Sequence, residues 1–119
     1  FGLGYGVEAL CQCAWLRQRE ILYWGDLDTH GFAILSQLRG WFPRVRSFLM
    51  DSATLDAGRE AWVQEAVDKR YSGDPENLTV AERSLFLNLR DDRLGERIRL
   101  EQERIPFDRV LAAVQELER

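Results

Sequence analysis

The chain has 119 residues, 45% of them hydrophobic and 30% charged, with a net charge of −4. That length suits one domain and not two independent cores, and that composition excludes a disordered tail. No apolar run nears the roughly 20 residues that span a bilayer, and the acidic balance argues against a domain that grips nucleic acid through a broad basic face. No secretory leader pattern is visible, and the expected location is the cytoplasm. The chain opens at Phe1 on a glycine-rich turn and reads as the C-terminal fragment of a longer protein, forming a single domain over 1–119. Lys69 is the only lysine among 16 basic residues. Arginine's planar fork suits phosphate, although an arginine-preferring genome gives the same bias. Cys11 and Cys13 are too few for a structural zinc site and poorly placed for a mutual disulfide.

In chain order, Phe1 to Gly6 reads as a strand end running into a tight turn, and Val7 to Arg17 as an amphipathic helix. Glu20 to Trp24 is a short apolar run with strand character, ending at Gly25. After the polar turn Asp26 to Gly31, helical spacing resumes at Phe32 and stops at Gly40 and Pro43. Val45 to Met50 predicts a second strand, residues 52–70 a partly amphipathic helix, and 71–78 a loop. Thr79 with Glu82 three residues on is a capping box opening a helix to about Asp92. Ile98 to Ile105 suits either a short strand or a helix lead-in, and Pro106 starts a last amphipathic helix through Val110, Leu111, Val114 and Leu117. Such alternation predicts an α/β fold with a mostly parallel sheet flanked by helices. Trp24 is expected in the core because it sits in the strand, and Trp15, Trp41 and Trp62 are expected there too, with an interface role as their alternative.

The informative stretch is Tyr23 to Gly31, Y-W-G-D-L-D-T-H-G. Two acids, Asp26 and Asp28, follow an apolar strand and precede a helix, where ligands of open parallel sheets sit. Two residues apart in a turn, their side chains can converge on one cation, and carboxylates with waters are what magnesium or manganese prefers. Gly25 and Gly31 allow close backbone approach, and the helix N-terminus offers N–H groups to a phosphate. The plainer alternative makes the same acids turn formers and helix caps. His30, the only histidine, suits a proton shuttle or phosphate contact, or a solvated first-turn position. Asp51 closes the second strand and either faces the same edge as a metal ligand or caps the next helix. Glu101 and Glu103 share a face if extended and diverge on a helix. Either one adds to the metal cluster, with Glu101 the favoured catalytic acid, or both are solvated and paired with Arg99 and Arg104.

These residues carry a resemblance. Tyr23 to Arg39 resembles the D-x-D segment of Toprim domains of the topoisomerase VI A-subunit and Spo11 kind. It is more similar still to the C-terminal Toprim domain of the D subunit of Wadjet systems (JetD). Gly2 to Gly6, Tyr23 to Leu35, Leu49 to Leu55, Leu89 to Arg93 and Arg99 to Ile105 all match that family's motifs. The resemblance implies a Toprim-like, Rossmann-like fold truncated at its N-terminus and a magnesium-dependent nuclease acting on double-stranded DNA. It implies work within an anti-plasmid defence complex, beside SMC-type subunits and a second copy of the chain. Asp26 and Asp28 match the family's metal-binding acids. The family's further catalytic glutamate is expected upstream of Phe1, and Glu8 does not replace it.

Other readings remain. Asp26-Leu27-Asp28-Thr29 fits the D-x-D-x-T string of haloacid-dehalogenase-like phosphatases, which also need a later lysine and an acid pair. A dinucleotide-binding reading of Gly2, Gly4 and Asp26 fails at Val7, where the third glycine belongs. A non-catalytic interaction module of the same fold is the alternative from a different class.

Overall fold

The structure is a computed structural model that describes residues 20–117; the expectations for the first helix, Gly2 to Gly6, Glu8, Cys11, Cys13 and Trp15 lie outside them. Strand β1 (Ile21–Tyr23) leads through the acidic turn into helix α1 (Thr29–Trp41), which returns the chain to strand β2 (Val45–Ser47). β1 and β2 pair in parallel with Ile21 opposite Val45 and Tyr23 opposite Ser47, and Phe48 N–H extends the ladder to the Tyr23 carbonyl. A parallel pair needs such a crossover, which sets the end of β1 against the start of α1. α1 starts at Thr29, earlier than its apolar spacing suggests, because Asp28 caps it, its Oδ1 accepting from Gly31 N–H at 2.6 Å.

The stretch expected as one helix over 52–70 breaks up. Helix α2 spans only Ser52–Ala57, and strand β3 (Val63–Gln64) follows after a 3₁₀ turn. Two features mark the break. Trp62 folds back to donate its Nε1–H to the Leu55 carbonyl at 2.9 Å, and at Gly58 a β-carbon would press on the Leu100 side chain. β3 then pairs antiparallel with β4 (Ile98–Arg99). Helix α3 (Val80–Arg90) opens on the expected capping box of Thr79 and Glu82. The segment after β4 is neither strand nor α-helix but a 3₁₀ turn over Gln102–Arg104, before helix α4 (Phe107–Leu117).

The architecture is mixed α/β, with one parallel and one antiparallel two-stranded sheet among the described residues. Leu27 and Leu100 join the two halves, exchanging backbone hydrogen bonds of 2.9 and 3.1 Å. Both are buried in a core shared with Phe32, Leu35, Phe42, Leu55, Phe86 and Leu89. Trp24, Trp41 and Trp62 pack against this core, as expected of ordinary packing residues. α4 lies on the surface with Phe107, Leu111, Val114 and Leu117 exposed. No helix among the described residues is long and apolar enough to cross a membrane.

The polar tie between α1, β2 and α3 is Glu82. It accepts from Arg39 at 2.6 and 3.2 Å, from Ser47 Oγ at 2.5 Å and from Thr79 N–H at 2.8 Å. Burial alone would raise this carboxyl; the hydrogen bonds from Arg39, Ser47 and Thr79 outweigh burial and bring it down to about 2. Arg39→Ala leaves a buried charge without its counterion, and an expected loss of about 3 kcal/mol is measurable by urea unfolding at neutral pH. Because the folded carboxyl titrates below its ordinary value of 4.5, this stabilisation is complete above that value and disappears as pH falls toward about 2. The gap between wild type and variant therefore narrows in acid.

Candidate metal centre

Asp26 and Asp28 project from the turn between β1 and α1, on either side of the Leu27–Leu100 bridge. The bridge fixes their register against β4, and Arg99, next to Leu100, reaches both. Arg99 Nη2 donates to Asp26 Oδ2 at 2.9 Å, and its Nε lies 3.4 Å from Asp28 Oδ2. That Nε is buried and makes no hydrogen bond. The other oxygens are committed to the backbone: Asp26 Oδ1 accepts Gln102 N–H at 2.9 Å and Asp28 Oδ1 caps α1. Each aspartate thus presents one oxygen, Oδ2, to a shared cation.

Behind this pair stands a residue the sequence does not single out. Glu65 is buried and follows directly on β3, its N–H bonded to the Arg97 carbonyl at 2.6 Å. Its carboxylate accepts from the Thr29 hydroxyl at 2.7 Å and from His30 N–H at 3.0 Å. Thr29 Oγ1 in turn accepts Tyr71 N–H at 2.8 Å. Glu65 and Asp28 together satisfy orphan N–H groups in the first turn of α1, where the helix dipole favours negative charge.

The electrostatics follow from this crowding. Burial, opposed by the bond from Gly31 and reinforced by the charges of Glu65 and Asp26, pushes the Asp28 carboxyl up to about 6. Burial and then the charges of Asp28 and Asp26 push up the Tyr23 phenol, which is buried under the turn. The neighbouring Glu101 carboxyl, then burial and the charge of Asp26, raise the Glu103 carboxyl.

The structure brings Asp26 and Asp28 together on Arg99, and the charge of Asp26 is felt at Glu103. It does not bring Asp51 to them. Asp51 caps α2, accepting Thr54 N–H at 2.7 Å, with Arg109 3.6 Å away. The His30 ring is exposed on the first turn of α1, and only its backbone N–H is tied into the cluster. No three His, Cys, Asp or Glu side chains among the described residues converge as a ready ligand set. Two carboxylates with one oxygen each on Arg99 nevertheless suit magnesium, which is often held by one or two carboxylates, with waters and substrate phosphates completing its shell. The phosphatase constellation is not assembled: Lys69 is exposed, and Asp91 and Asp92 pair with Arg90, Arg93 and Arg70.

No curated protein matches the chain. The family model described as "Wadjet protein JetD, C-terminal" matches residues 1–114. Nearly the whole chain lies within that match, so the chain belongs to the family of Wadjet JetD C-terminal domains, components of a defence system.

Proposed function

We propose that this domain is the metal-dependent, Toprim-type DNA-cleaving unit of its Wadjet subunit, hydrolysing phosphodiester bonds in double-stranded plasmid DNA in the cytoplasm. One observation carries the reading: Asp26 and Asp28, beyond the carboxyl end of β1, each turn one oxygen toward the same Arg99 guanidinium. Asp26 and Asp28 would hold Mg²⁺ or Mn²⁺. When bound, such an ion offsets phosphate charge and lowers the pKa of an attacking water. Asp28 is held by the α1 backbone and Asp26 by Gln102 N–H, so the pair is positioned before any ligand arrives. Glu101, one residue before the Gln102 that bonds Asp26, is the proposed further acid for proton transfer, with His30, exposed in the first turn of α1, as a second candidate. A glutamate expected from upstream sequence completes the set in the whole protein, whose proposed partners are SMC-type Wadjet subunits and a second copy of itself.

The test is cleavage of supercoiled plasmid by the full-length protein with its Wadjet partners. Cleavage is expected with Mg²⁺ or Mn²⁺, is expected to stop on chelation with EDTA, and is expected to return when the ion is restored. Undiminished cleavage in EDTA overturns the reading.

A further inference from the structure

The Arg99 guanidinium occupies the space in which the two aspartates converge, and it does so incompletely. Among the described residues it makes one hydrogen bond, from Nη2 to Asp26 at 2.9 Å. Toward Asp28 it only approaches, at 3.4 Å, with its Nε buried and without a hydrogen-bond partner. A guanidinium can donate two parallel bonds to a carboxylate, and such a fork is its strong mode. Here one buried donor remains unmade, a state that costs free energy. The side chains of Arg99 and Asp26 are 30% and 31% exposed, so water and ions reach this edge of the pair. The backbone of Arg99 cannot drift away, because β4 pairs with β3 and the adjacent Leu100 is bridged to Leu27. Only its side chain is free to leave.

We propose that Arg99 is a positioning residue: a resident, displaceable cation that holds Asp26 and Asp28 facing one another and that an incoming divalent ion must expel. The inference rests on the proposed metal-dependent reading of this site. Without a cation between them, two carboxylates held this close repel each other, so Arg99 stabilises the metal-free fold. By occupying the same oxygens, it also weakens the affinity for the ion. Its removal therefore has opposite effects on two measurable quantities: stability without metal falls, and affinity for metal rises. A residue that merely packs would lower both.

The experiment uses full-length protein, with Mn²⁺ binding followed by electron paramagnetic resonance and thermal melting recorded in EDTA. Arg99→Gln is expected to bind Mn²⁺ about tenfold more tightly than wild type and to melt earlier in EDTA, with the loss restored by saturating Mn²⁺. Arg99→Lys keeps a charge but not the fork. Its affinity is expected between the other two, and it maintains the test if Arg99→Gln does not fold without metal. Asp26→Asn is the control and is expected to bind no Mn²⁺ at this site. Unchanged or weaker Mn²⁺ binding in both Arg99 variants, with binding still lost in Asp26→Asn, overturns the role of Arg99 and leaves the metal centre standing. No difference in Mn²⁺ binding between wild type and Asp26→Asn overturns the metal centre and the inference with it.

Discussion

Replacing Asp28 by Asn is expected to abolish plasmid cleavage by the full-length protein while making the metal-free fold more stable at neutral pH. The two effects have one origin. Asparagine caps a helix as well as aspartate does, so the bond from Gly31 N–H survives the change. The charge does not. Asp28 is 4% exposed, and its carboxyl is pushed up to about 6 from an ordinary value of 3.8. A carboxyl raised in the folded state binds its proton more tightly there than in the unfolded chain. Ionising it therefore costs stability: nothing below about pH 4, progressively more through the window up to about 6, and the full amount above it. Each pKa unit is worth about 1.4 kcal/mol, so the full cost is about 3 kcal/mol. Wild-type stability should fall as pH rises through that window, and the variant should lack that slope. At pH 7 the variant should gain about 3 kcal/mol, since the attraction to Arg99 is already contained in that shift. Cleavage, by contrast, should drop by at least about 10²-fold, the loss seen for milder disturbance of a metal's outer shell. Melting curves at pH 4 and pH 7, with plasmid cleavage, check both halves. Cleavage at the wild-type rate would remove Asp28 from the site.

On the proposed reading, this opposition accounts for a buried acid at the N-cap of α1. Asp28 and Glu65 are both buried against the start of the helix, and the field of Glu65 raises Asp28 further. A fold selected for stability alone would keep one carboxylate there and make the other neutral. Destabilised charged groups concentrate where charge is to be used, and the cost at Asp28 is met by ties elsewhere, such as Arg39–Glu82.

What could be seen in the sequence was local. The capping box of Thr79 and Glu82 depends on four consecutive residues, and it forms as expected. The turn between β1 and α1 was legible because an apolar run, two acids and a glycine follow one another directly. What depends on distant partners was not. Residues 52–70 contain enough helix formers to predict one helix, yet β3 forms because Val63 and Gln64 find Arg99 and Ile98 more than thirty residues later. Glu65 is buried because the start of α1, 35 residues upstream, offers its carboxylate a hydroxyl and an N–H; no spacing within the chain announces that. Arg99 reads as a partner for Glu101 and Glu103 by proximity in sequence. The Leu27–Leu100 bridge instead turns it toward Asp26 and Asp28. The glutamates are left beside each other, and Glu101 raises the Glu103 carboxyl.

The backbone that makes this possible depends on Gly31, and Gly31→Ala is expected to be among the most damaging small substitutions in the domain. Glycine inside a helix ordinarily costs about 1 kcal/mol relative to alanine, so on propensity alone the change should stabilise α1. Packing reverses the sign. A β-carbon at this position would overlap the Asp26 carbonyl oxygen, and Asp28 Oδ1 would lie 3.2 Å away. The obstruction is backbone, which cannot rotate aside as a long side chain can. Overpacking of this kind costs about 3 kcal/mol, leaving a net loss of about 2 kcal/mol. Relief requires the turn to open, which carries Asp26 away from Asp28, so Mn²⁺ affinity should fall together with stability. Gly40, in the same helix, supplies the comparison. There the nearest obstacle to a β-carbon is the Asn77 side-chain amide at 3.0 Å, the end of a side chain that can shift. Gly40→Ala should leave metal binding unchanged and alter stability by less than about 1 kcal/mol. If the two glycine variants unfold alike in urea and bind Mn²⁺ alike, the close approach of α1 to the Asp26 carbonyl is not what holds the carboxylates together.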